Sequence, residues 1–280
     1  MVQDLKAELI AEMKRVGAYD VGIADPHQGF GHAPEGRHPL TLMPECRSVV
    51  TFVVPRAAIP NCFFLGVRRA EPQDPDEWTK YLDTEDASMY IGYRVAFLFT
   101  AYVILKATTF LSEWGYRVVE RCDKTRPGQP QLPEKLCAYE AGLGVYGRSG
   151  LILHPQLGNR IVIGAFLTDA VLETDVVLHG FDPCQGCNAC IRACPAGAYG
   201  SDGSYHGVWS MDRCLSKRQE LVELGHSLCD LCWKVCPAGK YDDRELFVMG
   251  MRGQNPLAQL ATWVGSVQGR ILCDVTPELA

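Results

Sequence analysis

Cys184-x2-Cys187-x2-Cys190-x3-Cys194-Pro195 (CQGCNACIRACP), followed by Cys214-x14-Cys229-x2-Cys232-x3-Cys236-Pro237, is the stretch on which the reading of this chain turns. In such a run three closely spaced thiolates wrap one face of an iron–sulfur cube, and the fourth, set before proline, turns away to a second cube. The second run repeats the ending with its first gap widened. Crossed ligation then assigns Cys184, Cys187, Cys190 and Cys236 to one [4Fe–4S] cluster, and Cys214, Cys229, Cys232 and Cys194 to another. Each set is complete at four thiolates, so neither cluster keeps an open iron; they carry electrons and are not Lewis acids. A pair of zinc ribbons, each with four cysteine ligands, is the competing reading, but zinc gives no reason for two C-x2-C-x3-C-P endings.

The rest of the composition is ordinary. Of 280 residues 47% are hydrophobic and 21% charged, which suits a folded domain and not a disordered chain. Thirteen cysteines stand out, eight of them between 184 and 236, which is metal-site clustering rather than a disulfide framework. Cys46, Cys62, Cys122, Cys137 and Cys273 are scattered and read as buried apolar thiols. A net charge of −6 excludes a generally basic nucleic-acid coat. The N-terminal residues show no apolar h-region, no A-x-A site and no twin arginine, so no export signal is expected. The longest uncharged apolar run, Val95–Leu105, is far below the roughly 20 residues that span a bilayer. A cytoplasmic protein without a membrane segment is the expectation.

Outward from the cysteines, three regions are expected: a core over 1–180, a cluster domain over 181–240, and a tail over 241–280 packing on the core. Residues 5–16 form a first helix ended by Gly17. Val21–Ala24, Ser48–Val54, Tyr116–Glu120, Leu151–His154 and Ile161–Leu167 read as strands, and Glu134–Glu140 as a short helix. Residues 88–114 form the longest helix, apolar nearly all round, which places it at the centre of the fold. Asp25–Glu45 and 55–86 read as long loops, the walls of a site. The fold class is α+β, α/β mixed.

Gly142-Leu143-Gly144-Val145-Tyr146-Gly147 spells G-x-G-x-x-G, yet a dinucleotide fingerprint needs a strand before it and a helix after it. Here the order is reversed, so the glycines license close backbone approach to some other ligand. Asp25-Pro-His27-Gln-Gly29 falls one position short of the D-x-H-x-x-G corrinoid pattern, and His27 reads as a loop histidine.

Ala141-Gly142-Leu143-Gly144, then Gly147-Arg148-Ser149-Gly150-Leu151, His154-Pro155, Gly158-Asn159-Arg160 and Thr168-Asp169, all ahead of the double cysteine run, resemble the cobalamin-dependent iron–sulfur reductases. That superfamily contains epoxyqueuosine reductase and the reductive dehalogenases. The resemblance is dense over about 115–240. It implies a nitroreductase-like core binding base-off cobalamin, followed by a two-cluster bacterial ferredoxin-like module. Residues 142–150 (Gly142 to Gly150, with Arg148 and Ser149) are then the cofactor-binding segment. Gly147-Arg148-Ser149-Gly150, Gly158-Asn159-Arg160 and Trp209 resemble the dehalogenase version. The Asp123-Lys-Thr-Arg-Pro-Gly loop stands where epoxyqueuosine reductases carry an acidic residue.

Reduction over a corrin face needs a proton donor. Asp123 is the first candidate, with Tyr93 and Tyr102 on the long helix as alternatives, and Arg160 as a cation for an anionic leaving group or a phosphate. The expected function is a reductase acting on an epoxyqueuosine-like or organohalide-like small molecule, fed by an external low-potential donor of the ferredoxin or flavodoxin type. The alternatives are a non-catalytic electron-transfer protein that reduces a partner's corrinoid, and a flavin-dependent reductase on the same core. The tail from Tyr241 holds three arginines against five acidic residues, so tRNA is expected to be a weak partner.

Overall fold

The computed structural model describes residues 4–56, 86–120, 131–199, 210–224, 229 and 231–240, with side chains of the long helix described from 99 onward. Four strands form one antiparallel sheet: β1 (Asp20–Ala24), β2 (Ser48–Pro55), β6 (Ile161–Thr168) and β3 (Val118–Glu120), in the order β1-β2-β6-β3. β2 is the central plank, with Ile23 opposite Val50 on one side and Val53 opposite Ile163 on the other.

The SVVTFVV segment does not alternate apolar with polar because the sheet is covered on both faces. One face carries Val21, Ile23, Val50, Phe52 and Phe166 against α1 (Leu5–Arg15) and α3 (Asp86–Glu113), through Leu9, Met13, Val103, Ala107 and Leu111. The other carries Val49, Val53, Ala165 and Leu167 against α4 (Glu134–Glu140), through Cys137 and Ala138, with Phe30, Met43 and Leu157 alongside. Truncating one of these buried side chains to alanine costs roughly 2–5 kcal/mol.

Local chemistry sets the boundaries. The Asp4 carboxylate accepts the Ala7 N–H and caps α1, and Gly17 ends it at φ +121°. Within the expected loop 25–45 lie a short 3₁₀ turn (Phe30–His32) and a four-residue helix, α2 (Pro39–Leu42), started by Pro39 at its first turn and by His38 as cap. The free edge of β1 is covered by Asp175. Its N–H donates to the Ile23 carbonyl at 2.8 Å, and its carboxylate accepts the Ile23 N–H at 2.9 Å and the Lys6 ammonium at 2.7 Å.

Helix α3 corrects one expectation. Its described half buries Phe99, Tyr102, Val103, Ala107 and Leu111, while Leu105 is 45% exposed and Thr109 faces solvent. It flanks the sheet as an outer layer and does not run through the centre of the fold; an all-apolar sequence hid which side packs. No described helix is long and apolar enough to cross a membrane. The loop 57–85, the tail 241–280, Asp123, Trp209, Cys62, Cys122, Cys273 and the Tyr93 side chain lie outside the described residues.

Beyond β6 the chain passes Asp175 and enters the cysteine segment. It contains α5 (Ala189–Arg192), α6 (Met211–Glu223) and α7 (Leu231–Lys234).

Candidate functional site

The glycine segment is a hairpin that follows a helix. α4 precedes it, and β4 (Val145–Tyr146) pairs with β5 (Ile152–Leu153) in the register Val145 to Leu153. This is not the strand–turn–helix that seats a dinucleotide. Each glycine gives up a side chain to neighbouring protein. A Cβ on Gly142 would run into the Val176 carbonyl, and one on Gly144 would lie 2.7 Å from the Leu153 carbonyl oxygen. One on Gly147 would meet Leu153 Cδ1 at 2.7 Å and the Cys184 sulfur at 3.5 Å. The close approach expected of a ligand is thus made by protein, and at Gly147 the partner is a cysteine of the first set.

Arg148 continues that contact. Its N–H donates to Cys184 Sγ at 3.5 Å, and its guanidinium donates to the Asn188 side-chain carbonyl between Cys187 and Cys190. Lys135 donates to the Gly150 carbonyl at 2.7 Å and holds the far end of the hairpin. Leu143, Ser149 and Gly150 are buried, while Val145 and Tyr146 are half-buried. Burial pushes the Tyr146 phenol up to about 12, with Cys137, Glu140 and Tyr139 nearby adding to it.

The second glycine motif grips the other end of the cysteine segment. Gly158 has φ +58°, and a Cβ there would overlap the Ala238 carbonyl. Lys240 N–H donates to the Gln156 carbonyl at 2.6 Å. Asn159 and Trp233 exchange two bonds, Asn159 Nδ2 to the Trp233 carbonyl and Trp233 Nε1 to the Asn159 carbonyl, both 2.8 Å. Arg160 Nη1 donates to Asn159 Oδ1 at 3.1 Å and to the Cys236 carbonyl at 3.3 Å. The two motifs therefore clasp Cys184 and Cys236, which sequence spacing had already assigned to one set.

All eight motif cysteines are free thiols, and Cys46 and Cys137 are buried in the apolar core. Burial pushes the Cys190 thiol up to about 12, helped by Cys236, Cys184, Cys232 and Cys187 around it. Cys236 is also raised by burial, partly offset by the Ala238 N–H and by the Arg160 charge. Cys184 is raised by burial against the pull of the Arg148 N–H. Cys214 is raised by burial, with Arg218 opposing and Cys194 adding to it. The Tyr199 phenol is raised by burial beside Cys232, Cys194 and Cys190, which puts it between the two sets. Cys229 packs against Leu221 and Leu231. Among the described residues no three Cys, His, Asp or Glu side chains converge as ligands of one ion do.

Of the catalytic candidates, Tyr102 and Arg160 lie among the residues whose side chains are described. Tyr102 is buried in the α1/α3 layer, with the sheet between it and the glycine hairpin. Arg160 is buried, 2% exposed, and bound to the cysteine segment. His27 is an exposed loop residue whose N–H donates to the Asp25 carboxylate. Sequence reading missed three residues. Trp233 carries no motif signal apart from its place between Cys232 and Cys236. His154 is buried, its Nδ1 accepts from the Gln156 and Leu157 N–H groups at 3.2 Å, and its Nε2 lies 3.4 Å from Asp20. Burial raises the Asp20 carboxyl, but the His154 and Val21 bonds and the Lys14 charge outweigh it and hold it below the usual range. Glu140, against Gly29, is raised by burial.

The mixed α/β fold is similar to those of solved epoxyqueuosine reductases and of a reductive dehalogenase. The solved epoxyqueuosine reductase of Bacillus subtilis, with its catalytic aspartate loop swung out of the active site, superposes with a TM-score of 0.57 at 20% identity, over 88% of this chain and 69% of that one. A reductive dehalogenase whose structure suggests a mechanism for B12-dependent dehalogenation gives 0.59 at 19% identity, over 93% of this chain and 36% of that one. At the sequence level the chain is 30% identical to the epoxyqueuosine reductase of Staphylococcus aureus over 112 residues, 36% of this chain and 28% of that protein. It is 42% identical to that of a Synechococcus strain over 67 residues, 24% of this chain and 20% of that protein. The matched stretches thus span only a fifth to about a quarter of these relatives. No family profile matches the chain.

Proposed function

We propose that this chain is a cobalamin- and iron–sulfur-dependent reductase. In this reading a nitroreductase-like core occupies 1–180, a ferredoxin-like module with two [4Fe–4S] clusters occupies 181–240, and the tail 241–280 packs on the core. The observation that carries it is the double clasp: Gly147-Arg148 on Cys184, and Gly158-Asn159-Arg160 on Trp233 and Cys236. A carrier that only relayed electrons would have no need to lock one cluster against a separate α/β core.

The donor set fits the clusters. Cys184, Cys187 and Cys236 surround Cys190, with Cys232 of the other set also beside it, and Cys194 lies beside Cys214. Burial raises the Cys184, Cys190, Cys214 and Cys236 thiols, so their thiolates form as iron binds. Cys184, Cys187, Cys190 and Cys236 would hold the cluster nearer the core, and Cys214, Cys229, Cys232 and Cys194 the other. When bound, the clusters supply one-electron transfer and the corrinoid supplies a strongly reducing cobalt.

The corrinoid enters through the relatives and the ordered motifs. Protein fills the empty sides of Gly142, Gly144 and Gly147, so the hairpin's remaining approach is along the half-buried Val145 and Tyr146. No histidine ligand is assigned from this chain, and the base-off form is what the resemblance implies. Asp123 would hold the proton delivered to substrate. An epoxyqueuosine reductase has been solved with a tRNA-Tyr epoxyqueuosine-modified stem loop; for this chain, at net charge −6, we favour a small-molecule substrate and a ferredoxin- or flavodoxin-type donor. Anaerobic reconstitution with cobalamin tests the reading. A base-off spectrum at one cobalt per chain is expected, whereas tight flavin uptake without cobalamin binding would overturn it.

A further inference from the structure

Arg160 is a guanidinium held at 2% exposure, in a setting where an ion out of water is costly unless its surroundings need the charge. Its position is fixed on three sides: Asn159 Oδ1 at 3.1 Å, the Cys236 carbonyl at 3.3 Å, and the Trp233 ring with its centroid 5.4 Å from the guanidinium carbon. A second cation, Arg56, lies over the same ring at 4.1 Å, and its N–H donates to the Arg160 carbonyl at 2.9 Å. Trp233 itself is pinned by the reciprocal Asn159 bonds, and it sits in sequence between Cys232 and Cys236, one cysteine from each set.

We propose that Arg160, seconded by Arg56 across Trp233, raises the reduction potential of the cluster held by Cys184, Cys187, Cys190 and Cys236. The inference rests on the two-cluster reading above. Reduction of a cluster adds one electron and therefore one negative charge, and net charge near the cluster is among the quantities that set its potential. A fixed buried cation stabilises the reduced form more than the oxidised one. At an effective dielectric constant of about 20 and a separation of roughly 10 Å, one unit charge shifts the equilibrium about tenfold. Arg160 binds the peptide carbonyl of Cys236 itself, so its charge bears first on the cluster that Cys236 would hold. Arg160 thereby acts on electron delivery.

The test is an anaerobic redox titration followed by electron paramagnetic resonance, with iron counted in each sample. Wild type, Arg160→Gln, Arg160→Lys and Arg56→Gln are compared. Arg160→Gln should make one cluster about tenfold harder to reduce, about 59 mV for one electron, and leave the other unmoved. Arg160→Lys should restore most of the shift, and Arg56→Gln should move the same cluster in the same direction by less. A purely structural arginine predicts unmoved potentials in every variant that keeps its iron, and that result overturns the proposal. Should Arg160→Gln lose iron, Arg56→Gln and Arg160→Lys decide: unmoved potentials in Arg56→Gln refute it. A wild type without cluster signals would sink the two-cluster reading itself, a failure visible before any variant is measured.

Discussion

Gly158→Ala should undo the clasp on Cys236. Gly158 sits at φ +58°, where an L-residue pays roughly 1–2 kcal/mol, and its new methyl would overlap the Ala238 backbone carbonyl, which no rotamer change can move aside. Relieving that overlap adds typically about 1–3 kcal/mol and pulls on the Lys240-to-Gln156 and Asn159–Trp233 bonds. The sum is roughly 2–5 kcal/mol, a large share of the roughly 5–15 kcal/mol of a typical fold. Gly36 is the matched control. It has φ +72° with nothing within 4 Å of its Cβ position, so Gly36→Ala carries the backbone strain alone, about 1–2 kcal/mol. At about 2–4 °C per kcal/mol, Gly158→Ala should lower Tm by roughly 4–20 °C and Gly36→Ala by a few degrees. Thermal unfolding followed by circular dichroism under anaerobic conditions, with iron counted before heating, reads both. Equal losses in the two variants, with equal iron, would refute the idea that Gly158 exists to admit the Ala238 carbonyl.

Asp123→Asn should lower turnover by ~10²–10⁴-fold while leaving iron and cobalt content unchanged, the range general acid catalysis spans; undiminished turnover would remove Asp123 from the mechanism. Cys46→Ala and Cys137→Ala should retain full iron, whereas Cys236→Ala should lose one cluster, as read by iron count; iron loss from the first pair would contradict their reading as core thiols. Asp20→Asn should destabilise the protein near neutral pH, because a carboxyl held below its ordinary value of 3.8 stabilises the fold above that pH and ceases to as it protonates. The difference in Tm between Asp20→Asn and wild type should therefore shrink as pH falls from about 5 to about 3, and a constant difference would rule out the His154–Asp20 contact as its source.

Much of this was legible because it depends on neighbours in sequence. Ser48–Val54 reads as a strand buried on both faces, and the sheet packs it so. Glu134–Glu140 reads as a helix, and it is one. What escaped depends on distant partners. β4 is only two residues long inside the glycine segment and exists because β5 pairs with it. Helix α3 is apolar nearly all round, so composition could not say that Leu105 faces outward. Arg160 looks like any charged residue at a strand entry until Trp233 and Cys236, more than seventy positions later, close over it. The glycines of 142–147 read as room for a ligand, because nothing local in the sequence reports that Val176 and Leu153 fill that room.

The most direct test of the central claim is a count of iron, acid-labile sulfide and zinc on protein purified anaerobically, taken with its visible spectrum. Two four-iron clusters on eight cysteines predict about eight irons and about eight sulfides per chain, with a broad visible charge-transfer band that bleaches on reduction. About four irons, or stoichiometric zinc with no visible absorption, would contradict it.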